Sequence, residues 1–187
     1  MRVRFGLAMA PKGGRSALIG VEVRASSDQH GRPVHHFEVG LAERTPATIE
    51  GAAERLAALM AAAREHRPCA IIDIGTPQGS ALHRVLRGKF PPDLHQAHAF
   101  PGTGARAPLF AAFLQAYSDG RITFAPGLPT TTRRDLDKAL VFYMGGGVSR
   151  HGVDLSSEEE ALVMALGLAL QWPRHGPVAR TAPAGTA

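Results

Sequence analysis

The 187-residue sequence holds a single cysteine, Cys69. No intrachain disulfide can form, and a zinc site built from cysteines is excluded. No uncharged apolar run reaches the length of about 18 residues that a transmembrane helix demands. The charged opening Met1-Arg2-Val3-Arg4-Phe5 leads into no long apolar stretch. No secretory signal is therefore visible, and the cytoplasm is the expected compartment. Aromatic residues make up only 6%, which argues against a platform that stacks single-stranded bases. A Gly-x-Ser-x-Gly nucleophile elbow is missing, and so is the Gly-Lys-Ser/Thr of a phosphate loop. The nine histidines include no helical pair flanking a glutamate in metalloprotease spacing.

With 44% hydrophobic residues, the chain is long enough to bury a core without staples. At roughly 150 residues per domain it reads as one domain. That domain is expected over residues 1–172. The Pro-, Ala-, Gly- and Thr-rich stretch 173–187 reads as a disordered tail. The formal net charge of +5 and the pI near 10.1 favour anionic partners, nucleic acid first. The basic residues are spread along the whole chain, however, and many Arg-heavy small proteins share that balance.

The order of elements is legible from periodicity. Val3–Ala10, Ser16–Val23 and His36–Leu41 read as three strands separated by the turn signals Lys12-Gly13-Gly14-Arg15 and Asp28 to Pro33. Short connections make them an antiparallel meander. Thr45 and Pro46 suit the start of a helix whose apolar stripe is Ile49, Ala52, Ala53, Leu56, Leu59, Met60 and Ala63. Arg67-Pro68 ends it. Cys69 to Gly75 is a continuous apolar run interrupted only by Asp73, as in a strand covered on both faces. Cys69 there is an ordinary small apolar residue. A short helix over Ala81–Leu86 follows, then a strand over Leu94–Phe100 and a helix opened by Pro108. Ile122–Phe124 is a short extended piece, and a helix runs from Thr131 or Thr132 to about Phe142. After the Gly145-Gly146-Gly147 turn, Ser157 starts a last helix to Gln171, apolar on nearly every side and hence buried. Three antiparallel strands plus parallel strands reached through helices make a mixed α/β sheet flanked by helices, the strand plan of ribonuclease H-like folds.

Three places could carry chemistry. Asp73 ends a buried strand just before a glycine turn, where α/β sheets present ligand groups. An aspartate capping that turn through a backbone N–H is an equally good account. Glu158, Glu159 and Glu160 open the last helix, where acids stabilise the helix dipole and Ser157 with Glu160 fits a capping box. Glu159, however, shares a stripe with Leu162, Val163, Leu166 and Leu170. It therefore faces the body of the protein and needs a partner, for which Mg²⁺ is one candidate. Lys12 and Arg15 flank a glycine turn that is first of all a hairpin with exposed bases. Facing the sheet end, they would touch a phosphate backbone. His151 is a solvated loop residue on the simplest reading and a neighbour of the last helix on the other.

Together, Phe5 to Leu18, Ile71-Ile72-Asp73-Ile74-Gly75-Thr76-Pro77-Gln78-Gly79 and Glu159 to Ala169 resemble the C-terminal nuclease domain of phage terminase large subunits, the DNA-packaging motors. Arg121 to Gly127 is similar to that family's segment after the fourth-strand helices. The resemblance spans about residues 3–172 and rests on order and spacing. It implies a ribonuclease H-like domain that cuts double-stranded DNA with Mg²⁺ or Mn²⁺, two divalent ions being held by carboxylates. Carried over, the fourth-strand acid is Asp73 and the helix acid is Glu159 or Glu160.

The pattern departs at one decisive place, because the first-strand acid position is Ala8, which offers no oxygen. Glu22 is the one nearby acid, without a geometric reason to substitute. The resemblance therefore implies impaired cleavage. The ATPase half of the motor is not in this sequence. A separate packaging ATPase, or other phage proteins, would be partners in a bacterial host, unless the chain is an excised or relic domain. The alternative is a non-catalytic ribonuclease H-like module for DNA binding or assembly. A small α/β enzyme acting on a phosphorylated metabolite has less support, since no loop that cradles phosphate is evident.

Overall fold

The computed structural model describes residues 2–9, 15–45, 48–91, 95–98, 107–144 and 157–171; for some of these, including 95–98, 139–144 and 160, it describes the backbone alone. Three long strands come first: β1 (Arg2–Ala8), β2 (Ala17–Ser27) and β3 (Pro33–Arg44). They pair antiparallel in sequence order, as the short connections require. Helix α1 (Ile49–Ala62) follows, then β4 (Cys69–Asp73), α2 (Pro77–Lys89), β5 (His95–His98), α3 (Ala107–Ser118), β6 (Ile122–Phe124), α4 (Thr130–Met144) and α5 (Ser157–Gln171). The described strands form one sheet in the order β5-β4-β1-β2-β3-β6. β4 joins β1 parallel, β5 joins β4 parallel, and β6 joins β3 parallel at the far edge.

Alternation along the strands divides the core in two. Phe5, Leu7, Leu18, Ala70 and Ile72 pack against Ala52, Ala53, Leu56 and Met60 of α1 and against Leu82 and Leu86 of α2. Ala8, Ala17, Ile19, Val21 and Ile71 face the other way, onto α5 and, beyond it, Phe113 of α3 and Leu136 of α4. Every residue of α5 from Ala161 to Leu170 is buried, because the helix lies between the sheet and two further helices. The central strands are thus covered on both faces, which accounts for the unbroken apolar run of β4.

One close approach sets the depth of α5. A Cβ built at Gly6 would collide with the Ala165 carbonyl oxygen and lie 2.9 Å from the Ala169 nitrogen. Glycine in β1 lets the helix backbone rest directly on the strand.

Several boundaries differ from the sequence expectation. Thr48, not Thr45, caps α1, its Oγ1 accepting from the Gly51 N–H at 3.1 Å. Thr45 is buried instead and donates its backbone N–H to the Ser16 carbonyl at 2.8 Å, closing the β2–β3 ladder. The helix after β4 begins four residues earlier than its apolar stripe, because Thr76 and Pro77 supply a cap and a first position. The short extended piece Ile122–Phe124 is as expected, and it joins the sheet as a strand beside β3. The tail 173–187, the triple glycine and His151 lie outside the described residues.

Candidate functional site

Strand register gathers the candidate positions at one end of the sheet. The β1–β4 pairing runs from Arg4↔Cys69 to Leu7↔Ile72; continued by one residue, it sets Ala8 beside Asp73. Ala8 pairs with Ala17, and Ala17 with Arg44. On the other side Asp73 pairs with His98. Ala8 and Ala17 belong to the α5 face, and Asp73, two residues beyond Ile71, alternates onto that face as well. The carboxyl ends of two central parallel strands therefore present one acid and one alanine side by side.

Asp73 is held by its own turn. It is 3% exposed, and its Oδ1 accepts the Gly75 N–H at 2.8 Å. The turn-capping role is thus real and coexists with the position at the strand end. The next helix clamps the same backbone. Thr76 Oγ1 accepts the Gly79 N–H at 3.0 Å, and Ser80 Oγ donates to the Ile74 carbonyl at 3.0 Å. A Cβ at Gly79 would strike the Asp73 carbonyl oxygen, so this glycine belongs to the first turn of α2, pressed against the strand end.

Glu159 reaches the same sheet end by a different route. Arg44, at the end of the Ala8–Ala17–Arg44 row, forms a 3.6 Å ion pair with Asp135 of α4. One helical turn further along α4, Lys138 Nζ donates to Glu159 Oε1 at 2.9 Å and Oε2 at 3.1 Å. Glu159 retains only 12% side-chain exposure, as its apolar stripe implies, and its partner is an ammonium group. Sequence reasoning missed Lys138. It lies 21 residues from Glu159, on a helix whose packing partner no local pattern reveals.

The other expected residues fall as follows. Glu160 is in the first turn of α5, and its side chain lies outside the described residues. Lys12 lies outside them altogether, whereas Arg15 is exposed two residues before Ala17, at the same sheet end. Glu22 pairs with Val3 near the opposite end of β1 and lies 3.5 Å from Arg24, so it cannot stand in for the acid missing at Ala8.

A divalent cation wants several carboxylate oxygens converging at about 2.0–2.6 Å. Among the described residues no group of three or more His, Cys, Asp or Glu side chains is arranged to hold a metal ion. Ala8 contributes no donor, and Glu159 is satisfied by Lys138. The described donor set does not complete a two-metal site.

The fold is ribonuclease H-like: a mixed sheet of three antiparallel strands extended by parallel ones, with helices on both faces. Among solved structures it is similar to the nuclease domain of the large terminase, g2p, of bacteriophage SPP1, determined with bound Mn. The two share 12% identity and a TM-score of 0.50, over 92% of this chain and 87% of that one. Thermus thermophilus RuvC aligns at 14% identity and a TM-score of 0.37, over 90% of each chain. No family model and no curated protein matches the sequence. Among the described residues no helix is long and apolar enough to cross a membrane.

Proposed function

We propose that this chain is a nuclease-type domain that engages duplex DNA at the sheet end carrying Asp73, and that its metal-dependent cleavage is impaired as the sequence stands. The observation that carries this reading is the juxtaposition of Ala8 and Asp73 at the carboxyl ends of neighbouring parallel strands, on the face covered by α5. Acids at those two positions would share a cation, whereas an alanine at one of them leaves half a site. Bound there, Mg²⁺ or Mn²⁺ would activate water and stabilise the leaving oxygen. This chain supplies Asp73, with Glu159 and Glu160 as the helix acids. Exposed Arg15 and, on the sequence reading, Lys12 would meet phosphates at the same end.

Plasmid cleavage in Mn²⁺ tests the reading. The chain as written is expected to cut weakly or not at all. Ala8→Asp is expected to gain cleavage, and Asp73→Ala in that background to abolish it. Efficient cutting by the unaltered chain that survives Asp73→Ala would overturn the site.

One observation favours a second reading, that of a DNA-binding or assembly module without catalysis. Lys138 neutralises Glu159, so the helix carboxylate has its counter-charge without a metal. This reading expects salt-sensitive DNA binding, unchanged by Asp73→Ala and by chelators.

A further inference from the structure

The opposite end of the same sheet face holds an arginine with no counter-charge among the described residues. Arg4 lies between Val3 and Phe5 on β1 and is 3% exposed. Its Nε and Nη1 have no hydrogen-bond partner among the described residues. Native proteins almost never bury such donors unpaired, since a buried guanidinium needs acceptors for its N–H groups. The side chain lines an open cavity of about 640 Å³ together with Arg2, Val23, Arg24, Ala25 and His35. No carboxylate lines the cavity among the described residues. The guanidinium of Arg24 is engaged elsewhere, with Glu38 at 3.0 Å and Glu22 at 3.5 Å, so the free positive charge comes from Arg2 and Arg4.

We infer that this cavity is an anion site that takes a phosphoryl group, with Arg4 at its floor, Arg2 at its rim and His35 on its wall. Two features select phosphoryl over a simple carboxylate. Arg4 presents unpaired N–H donors on different nitrogens, and these need several acceptor oxygens. A dianion also matches two fixed positive charges better than a monoanion. The volume is far larger than a lone carboxylate fills and leaves room for whatever carries the phosphate. The lining groups are affected by burial first and by neighbouring positive charge second. Burial makes the Arg4 guanidinium less basic than usual, with Cys69 opposing and Arg2 adding to it. Burial, reinforced by Arg4, Arg121 and Arg2, pulls the His35 imidazole down. This site is separate from the Asp73 end and independent of the nuclease reading.

The test is binding of inorganic phosphate to the full chain, read by thermal shift and titration calorimetry at constant ionic strength without divalent cations. Saturable stabilisation by phosphate, but not by acetate or chloride, is expected. Arg4→Met, which keeps an unbranched apolar stem, should lose at least about tenfold in phosphate affinity. Exposed Arg2→Gln should weaken binding severalfold without a folding risk. Asp73→Asn should bind phosphate as the unaltered chain does, so failure of the nuclease reading leaves this inference standing. Displacement of phosphate by a 5′-phosphorylated duplex, but not by the same duplex lacking that group, would assign the phosphoryl to a nucleic-acid end. If neither duplex displaces it, the ligand is a small phosphate compound. Equal stabilisation by acetate, or phosphate binding unaltered by both Arg4→Met and Arg2→Gln, would overturn the proposal.

Discussion

Lys138 Nζ sits 2.9 Å from one oxygen of Glu159 and 3.1 Å from the other. The carboxylate that heads the buried helix α5 is thus already matched with a positive charge carried by α4. An acid at the end of an apolar stripe must find a counter-charge or stay solvated. In this fold the neighbouring helix provides one, and the same pair fastens α4 to α5 at the sheet end where Asp73 lies.

Removing that ammonium should separate the structural role of Glu159 from a metal-binding one. Lys138→Met is expected to cost about 1–3 kcal/mol of stability, because it leaves the Glu159 carboxylate, only 12% exposed, without its ammonium partner. In an Ala8→Asp background it should lower the Mn²⁺ concentration needed for half-maximal cleavage. Urea denaturation and a metal titration of plasmid nicking give the two answers. An unchanged or raised metal requirement would mean that Glu159 is not a ligand.

Gly6 beneath α5 and Gly79 in the first turn of α2 are steric necessities. Gly6→Ala should destabilise the protein by about 3 kcal/mol or more, since α5 must lift from β1 and overpacking of this kind is costly. The melting temperature should fall by about 6–12 °C for a chain of this size. Gly79→Ala should have a smaller effect on stability but should displace the Asp73 backbone, visible as changed amide shifts at Ile74 and Gly75. Gly127→Ala, where an added Cβ meets nothing within 4 Å, serves as the control.

His35 gives a signed pH dependence. Desolvation first, then Arg4, Arg121 and Arg2, lower its pKa below the ordinary 6.5. Between the lowered folded value and the unfolded one, the unfolded chain binds more protons, so stability rises with pH across that window. Acidification from pH 7 should therefore weaken the fold, and His35→Gln should flatten the slope. Denaturation midpoints at several pH values measure it; an unchanged slope in the variant would remove His35 from the account.

Cys69 should behave as a core residue. Burial pushes its thiol up to about 11, and the side chain is only 9% exposed. Thiolate is the reactive form. Alkylation at pH 8 should thus be very slow in the native protein and should track global unfolding in denaturant. Rapid labelling without denaturant would show that the β1–β4 seam opens locally.

Much of the architecture was legible in the chain. Short connections among the first three strands demanded antiparallel pairing, and the unbroken apolar runs of Cys69–Asp73 and Ala161–Leu170 demanded cover on both sides. The special position of Asp73 was legible too, because an acid beside a glycine turn at the end of such a run is locally conspicuous. Less legible were the features that depend on neighbours distant in sequence. Thr45 looked like a helix cap because its residue type suits one, yet its backbone partner is Ser16, 29 residues away. Gly79 is constrained by the Asp73 carbonyl, a neighbour that only the docking of α2 on the strand end supplies.

The sequence by itself determined which segments are strands and helices, how buried the central ones are, and that the first-strand position carries a methyl group instead of an acid. Those properties follow from residue type and local periodicity. The tertiary structure alone decided that Ala8 stands beside Asp73, that Lys138 meets Glu159, and that Arg4 lines a cavity with no carboxylate among the described residues. Each depends on register and helix docking, set by many small packing terms summed over the whole core, and no short stretch of chain contains that sum.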